Sequence, residues 1–406
     1  MMLPTELRAG LFTQVTLGET VRLACPHADY LDMIDKNPVL CPMEGVAVSF
    51  SRENTDFVLR NHDLFSSEVM MPLGNVRPLI PLNVDPPRHS MSRKILDPLF
   101  APKRMDAIEA QVVDRANEFI DAFVERGECN FTEEFAELFP SAVFLGLLGL
   151  PWEELDTLLA LRNGILHPEK LDPNALADPM VRMTVMGETG QRIYTYFGEA
   201  LDAREANPTD DILTHFTTAV VDGDRMSREE ILDLCFLFLI AGLDTVSDSL
   251  TCMFAFLATH PEHRQRIVDD PAIIPSAVEE LLRYETPVPY GVPRKATQDV
   301  TLPDGTFIFR DTSVTVSYGA ANIDPAVFPE ATVADFDRED NRHIAFGAGV
   351  HRCLGSHLAR RELRIALGEW HRRIPDYGLK PGHEELEFPP GLRHVKDLTL
   401  SWNASA

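Results

Sequence analysis

The chain has no apolar run long enough to cross a bilayer: the longest, at 142–150 and 234–243, fall well short of the roughly 20 residues a spanning helix needs. Met1 to Gly10 carries neither the apolar core of a secretory signal nor a membrane anchor. Basic residues are scarce. With 37 Lys and Arg against 63 Asp and Glu the net charge is -26, which repels phosphate and makes nucleic acid a poor partner. The six cysteines, Cys25, Cys41, Cys129, Cys235, Cys252 and Cys353, show neither pairing nor Cys-x-x-Cys spacing, so free thiols in a reducing cytoplasm are expected. No Gly/Ser linker, low-complexity block or internal repeat interrupts the sequence, and 1–406 is read as a single domain.

What is present is an ordinary globular composition whose periodicity is mostly helical. Residues 45–50 alternate like a short strand, and Ser51 caps a helix towards Arg60. Residues 66–84 form an irregular apolar loop, unusual unless something covers it or binds to it. Helices are expected over 88–98, 103–127, 134–149, 152–164, 180–205 and 212–221. Ser227 and Glu230 form a capping box that starts a helix of about 30 residues to His260, apolar on nearly every face and so destined for a core. Ser276 and Glu279 predict a second capping box, on a helix ending before Pro287. Strand-like pieces follow at 298–302, 307–310 and 313–316, and a last long helix runs from Leu354 to Arg373. The expected fold is mainly α with a smaller, mostly late β portion.

The sharpest motif is Phe346-Gly347-Ala348-Gly349-Val350-His351-Arg352-Cys353-Leu354-Gly355. Its glycines permit a tight turn, and Cys353 falls at the start of a helix, where the dipole and free amides stabilise a thiolate. Residue types alone leave three roles open: a soft-metal or haem ligand, a zinc ligand beside His351 and His357, and a buried structural cysteine. Within the apolar helix, Ala241-Gly242-Leu243-Asp244-Thr245 sets a carboxylate where burial costs several kcal/mol unless it is paired. Small Ala241 and Gly242 would let a flat cofactor and a bound diatomic approach the backbone. A paired core Asp beside a Thr bonding its own turn is the alternative.

Phe-Gly-x-Gly-x-His-x-Cys-x-Gly matches the haem-binding signature of the cytochrome P450 family at six fixed positions, expected by chance on the order of once in 100,000 chains. The resemblance runs from about residue 45 to 402 and looks nearest the soluble bacterial branch that includes the camphor hydroxylase. It implies a P450 fold, a helical bundle around buried haem b (iron protoporphyrin IX) with small β-sheets, and Cys353 as axial ligand. By the same resemblance His89, Arg93, Arg294 and His351 meet the propionates, while Ala241, Phe346 and Gly355 border the cofactor. Thr245 and Asp244 match the oxygen-activation segment, with Asp244 relaying protons. Asp248 departs from expectation in being so polar; as a like charge four residues after Asp244, it should face away, towards water or a basic partner. Glu280, Arg283 and Arg338 match a structural salt-bridge trio.

The implied reaction is monooxygenation: one atom of O2 enters a C–H bond of a hydrophobic small molecule. Leu237, Ile240, Ala241, Val288, Leu392 and the 70–82 loop are the expected lining, with Tyr290 as one hydrogen-bond donor. A terpenoid, steroid or alkyl-aromatic compound fits. Arg77 or Arg393 could instead hold the carboxylate of a fatty or aromatic acid. Electrons would come from an iron–sulfur ferredoxin or a flavodoxin with an NAD(P)H-dependent reductase. Arg342, Arg352, Arg360, Arg361 and Arg364, with Lys103 and Arg104, offer a basic face for an acidic donor. Peroxide-driven or rearranging haem-thiolate chemistry, a haem sensor and a zinc protein are the competing functions.

Overall fold

A computed structural model of the chain describes residues 23–220, 223 and 225–404; Met1 to Gly10, expected to lack a signal core, lies outside them. None of the described helices is long and apolar enough to cross a membrane. The fold is mainly helical with a smaller β portion, as expected, the described residues forming three small β-sheets. The described residues divide into two compact units, one drawn from 23–66, 105–139 and 245–404, the other from 67–104 and 140–244.

The first unit holds all three sheets. The largest has five strands in the order Val39–Met43, Val46–Ser49, Ser313–Val316, Arg294–Ala296 and Phe65–Ser66. Val46–Ser49 pairs parallel to Ser313–Val316, joining early and late sequence, and both strands are buried throughout, which suits their Val-rich composition. Against this sheet pack Val58 and Leu59 of the helix Arg52–Arg60, whose first turn Ser51 caps by accepting from the Asn54 amide. Ile344 and Ala348 join the same cluster, so the sheet seats the loop that leads to Cys353. A second core surrounds Trp370, fully buried on the helix Ser356–Arg373. The rings of Phe131, Phe254 and Trp402 meet it edge-on at 5.1, 5.1 and 5.7 Å. Trp402 reaches this cluster because Thr399–Trp402 is the central strand of an antiparallel sheet with Glu128–Asn130 and Tyr377–Leu379.

The second unit is helical, built on Arg88–Leu96, Leu155–Leu166, Pro179–Ala206, Ile212–Thr218 and Arg228–Gly242, with most of Leu138–Leu148. The 67–84 loop is irregular as expected, and its own unit covers it: Val69, Leu79, Ile80 and Val84 are buried. Asn83 stitches the loop together, accepting from the Leu79 amide and donating to the Val69 carbonyl.

Two expectations need correction. The apolar helix expected from Arg228 to His260 is two helices, Arg228–Gly242 and Asp244–Thr259, interrupted at Leu243. Its start was legible: Ser227 and Glu230 make the reciprocal cap. The second capping box does not form. The helix Ile274–Glu285 already begins at Ile274, with a proline in its first turn, and Ser276 inside it donates to the Ile273 carbonyl. Glu279 is thereby released for another task.

Candidate active site

In the first unit the cysteine turn is shaped by its glycines. Gly347 and Gly349 both have positive φ, +67° and +69°, and a Cβ on Gly349 would stand 2.0 Å from the Leu59 carbonyl oxygen. Only glycine fits there. The Ile344 amide donates to Asn322 Oδ1 at 2.7 Å, and the Cys353 amide closes the turn on the Phe346 carbonyl at 2.9 Å. The helix begins at Ser356, two residues later than expected, so Cys353 stands just ahead of its N-terminus with its thiol exposed. Cys129, Cys235 and Cys252 are buried, and burial pushes their thiols up. His351 and Gly355 are half-buried beside Cys353, and Arg294 is buried on its strand.

Sequence reasoning missed Tyr318. Its hydroxyl packs near the positions of Gly291 and Gly347. Burial pushes its phenol up, and the charges of Arg294 and Cys353 both act on it.

The expected trio is present. Arg283 grips Glu280 at 2.7 and 2.9 Å, and Arg338 Nε lies 3.1 Å from both Glu280 oxygens. Arg283 also donates to the carbonyls of Asn322, Ala331 and Val333. Because Asn322 holds the Ile344 amide, the trio supports the start of the cysteine turn. The neighbouring Glu279 accepts from Arg360 Nε and Nη2 at 2.7 and 2.8 Å and from His343 Nε2 at 3.0 Å. Burial alone would push its carboxyl up; the His343 and Arg360 contacts outweigh that and bring it down to about 2.

In the second unit His89 is buried on the helix Arg88–Leu96, and Arg93, one turn on, pairs with Asp97 at 2.6 Å. Leu237 and Ile240 are buried while Ala241 is exposed. Gly242 is needed for packing: a Cβ there would meet the Phe144 ring at 2.8 Å. Asp244 is paired more firmly than a bare relay would be. Arg162 Nη1 lies 2.9 Å from Oδ1, and His167 Nε2 lies 2.8 Å from Oδ2. Against burial, the Arg162 charge and the His167 contact hold its carboxyl below the usual range. His167 was not foreseen, since it lies 77 residues away in sequence.

Thr245 is half-buried, its carbonyl accepting from Ser249 Oγ at 2.7 Å. Asp248 is buried rather than facing water, and the basic group beside it is His394, 3.8 Å away. Val288 and Leu392 are half-buried and brought together, the Arg393 amide donating to the Pro287 carbonyl at 2.8 Å. Tyr290 is half-buried and packs against the cluster that holds Tyr30 and Phe328. Arg77 pairs with Asp233 at 2.8 Å and Arg393 with Glu285 at 2.7 Å, so both candidate carboxylate anchors already hold the protein's own carboxylates. Four arginines of the expected basic face are paired: Arg342 with Asp340, Arg360 and Arg364 with Glu279, and Arg361 with Asp106 and Glu109. Among the described residues no three His, Cys, Asp or Glu side chains gather as a metal site, so His351, Cys353 and His357 do not form a zinc centre.

The cytochrome P450 family profile matches residues 168–270 and 272–373, half of the chain. The steroid C26-monooxygenase of Mycobacterium tuberculosis is 31% identical over 375 residues, covering 90% of each chain. The chain belongs to the cytochrome P450 family. The mycinamicin IV hydroxylase/epoxidase of Micromonospora griseorubida is 35% identical over 328 residues, 79% of each chain. The solved structure of myxobacterial cytochrome P450 CYP267B1 in complex with myristic acid aligns with a TM-score of 0.85 at 27% identity, covering 97% of this chain and 99% of that one. This P450 is therefore an oxidoreductase of the monooxygenase class, one that activates O2 and hydroxylates its substrate. Membership implies haem b ligated by a cysteine thiolate, and the residues of the cysteine turn fit it, with an exposed thiol ahead of a helix N-terminus.

Two outcomes follow from these pairings. Asp244→Ala leaves the buried Arg162 guanidinium without its carboxylate and should lower unfolding stability by about 3–5 kcal/mol in denaturant titrations, with Arg162→Met restoring most of the loss. Glu279 is more acidic folded than unfolded, so its pairing stabilises the fold above about pH 4.5, and that contribution fades as the pH falls towards 2. Acid titration followed by fluorescence should show wild type losing on the order of 3 kcal/mol across that window through this group, a component absent from Glu279→Gln.

Proposed function

We propose that this P450 is a single haem domain, 1–406, that holds haem b through the Cys353 thiolate and hydroxylates a neutral, hydrophobic small molecule of terpenoid, steroid or alkyl-aromatic type. The observation that carries this reading is the exposed Cys353 sulfur at the end of a glycine-shaped turn closed on the Phe346 carbonyl. When bound, the haem supplies O2 activation and C–H oxygenation.

The protein's own groups then have separable tasks. His89, Arg93, Arg294 and His351 supply the basic side chains for the propionates. Phe346, Gly355 and Ala241 border the ring. Leu237, Ile240, Ala241, Val288 and Leu392 supply an apolar lining. Asp244 and Thr245 move protons: His167, one-quarter exposed, exchanges with water and passes a proton to Asp244 Oδ2, and Thr245 follows Asp244 in the chain. Because Arg162 holds the other oxygen of Asp244, delivery requires that this carboxylate turn from its partners.

Neutral substrates are favoured because Arg77 and Arg393 are engaged by Asp233 and Glu285, and the steroid activity named for the Mycobacterium relative supports the same class. The myristic acid complex of CYP267B1 favours a second reading, hydroxylation of fatty acids. Electrons come from an iron–sulfur ferredoxin, or a flavodoxin, with its NAD(P)H-dependent reductase, and the working compartment is the cytoplasm. A place in the camphor-hydroxylase branch is the narrower form of this proposal.

The dithionite-reduced protein should give the haem-thiolate band with carbon monoxide and lose it on Cys353→His; survival of the band would refute the ligand. A spectral titration with steroids, terpenoids and fatty acids should give high-spin shifts for the neutral compounds. A shift confined to the acids would select the second reading.

A further inference from the structure

We propose that Glu279 is a positioning residue for the reaction, setting the charge and geometry around the Cys353 sulfur by holding both ends of the cysteine turn. The proposal rests on the haem-thiolate reading above. Glu279 and Glu280 are adjacent on the helix Ile274–Glu285 but serve different segments. Glu280 binds Arg283, Arg338 and Asn341 and builds the scaffold. Glu279 reaches the turn itself.

On the near side it meets His343, three residues before Phe346. The Ala345 amide donates to His343 Nδ1 at 3.2 Å, so the ring proton sits on Nε2 and is donated to Glu279 at 3.0 Å. On the far side Glu279 takes a two-pronged grip on Arg360, just over one turn into the helix that follows Cys353. Arg360 in turn lies over the Phe346 ring, its guanidinium carbon 4.4 Å from the centroid. Phe346 is the residue whose carbonyl accepts the Cys353 amide. One carboxylate thus joins the start of the turn, its aromatic side and the helix beyond it. Arg364 adds a second cation at 3.7 Å.

The arrangement has an electrostatic consequence that scaffolding alone lacks. Arg360 is largely buried, its side chain 18% exposed, so solvent screens its charge poorly. With Glu279 in place, the helix after the thiolate presents a neutralised pair; without it, an uncompensated guanidinium is left on that helix, over the ring of the residue on which the Cys353 amide closes. That cation draws electron density from the sulfur and favours the reduced iron.

The test uses purified holoenzyme of wild type, Glu279→Gln, Arg360→Gln and the double variant, comparing haem reduction potential and the carbon-monoxide band. Glu279→Gln should shift the potential positive and convert part of the band to the thiol-ligated form. The double variant should return towards the wild-type potential, because both charges leave together although more contacts are lost. An unchanged potential in Glu279→Gln, or a double variant displaced further than the single, overturns the proposal. Should Glu279→Gln fail to fold, Arg360→Gln must shift the potential negative, and no shift there is equally fatal. A thiolate band that persists in Cys353→His would instead strike the ligand assignment beneath it.

Discussion

Glu280 and Arg283 form an ion pair with no exposed surface, and the first unit is organised around it. Two charges withdrawn from water are tolerated only if each remaining donor and acceptor is met, and here they are met by distant parts of the chain. Arg283 gathers the carbonyls of residues 322, 331 and 333, while Glu280 receives Arg338, Asn341 and the Asp335 amide. Removing either partner would strand the other in the core. Asn322, fixed by this network, carries the amide that opens the cysteine turn.

The same constraint recurs in the helical unit with a different use. Asp244 is satisfied by Arg162 and His167, and Asp233 by Arg77 and Tyr194. Asp233 lies within the apolar helix Arg228–Gly242 and Asp244 begins the next one, and both are paired with residues of other segments. The acidic character of this protein is thus not confined to its surface. Several of its arginines are consumed internally, which narrows the charges left to greet a substrate or a redox partner.

Much of this was legible in the sequence wherever a local rule decided the outcome. Ser51 and Ser227 cap as their side chains predict, and the glycines of the cysteine turn adopt the left-handed backbone that their spacing suggests. The Cys353 turn and the Glu280 trio were readable through family resemblance, because their residues stand in a fixed order. What escaped depends on contacts between residues far apart in sequence. The spacing of Ser276 and Glu279 imitates a capping box, yet Glu279 is drawn away by His343 and Arg360, more than 60 residues on. Arg77 and Arg393 looked available because nothing nearby in sequence announces Asp233 or Glu285. Propensity reports the neighbourhood along the chain, and pairing is set by the neighbourhood in space.

The strand Thr399–Trp402 is the middle member of its sheet, flanked by residues 128–130 and 377–379, and the Trp402 indole donates to the Val124 carbonyl. Its partner strands come from far-separated stretches of sequence, so the aromatic core around Trp370 closes only once those stretches have met. Without this strand the apolar surface about Trp370 would stay uncovered, a ready site for self-association.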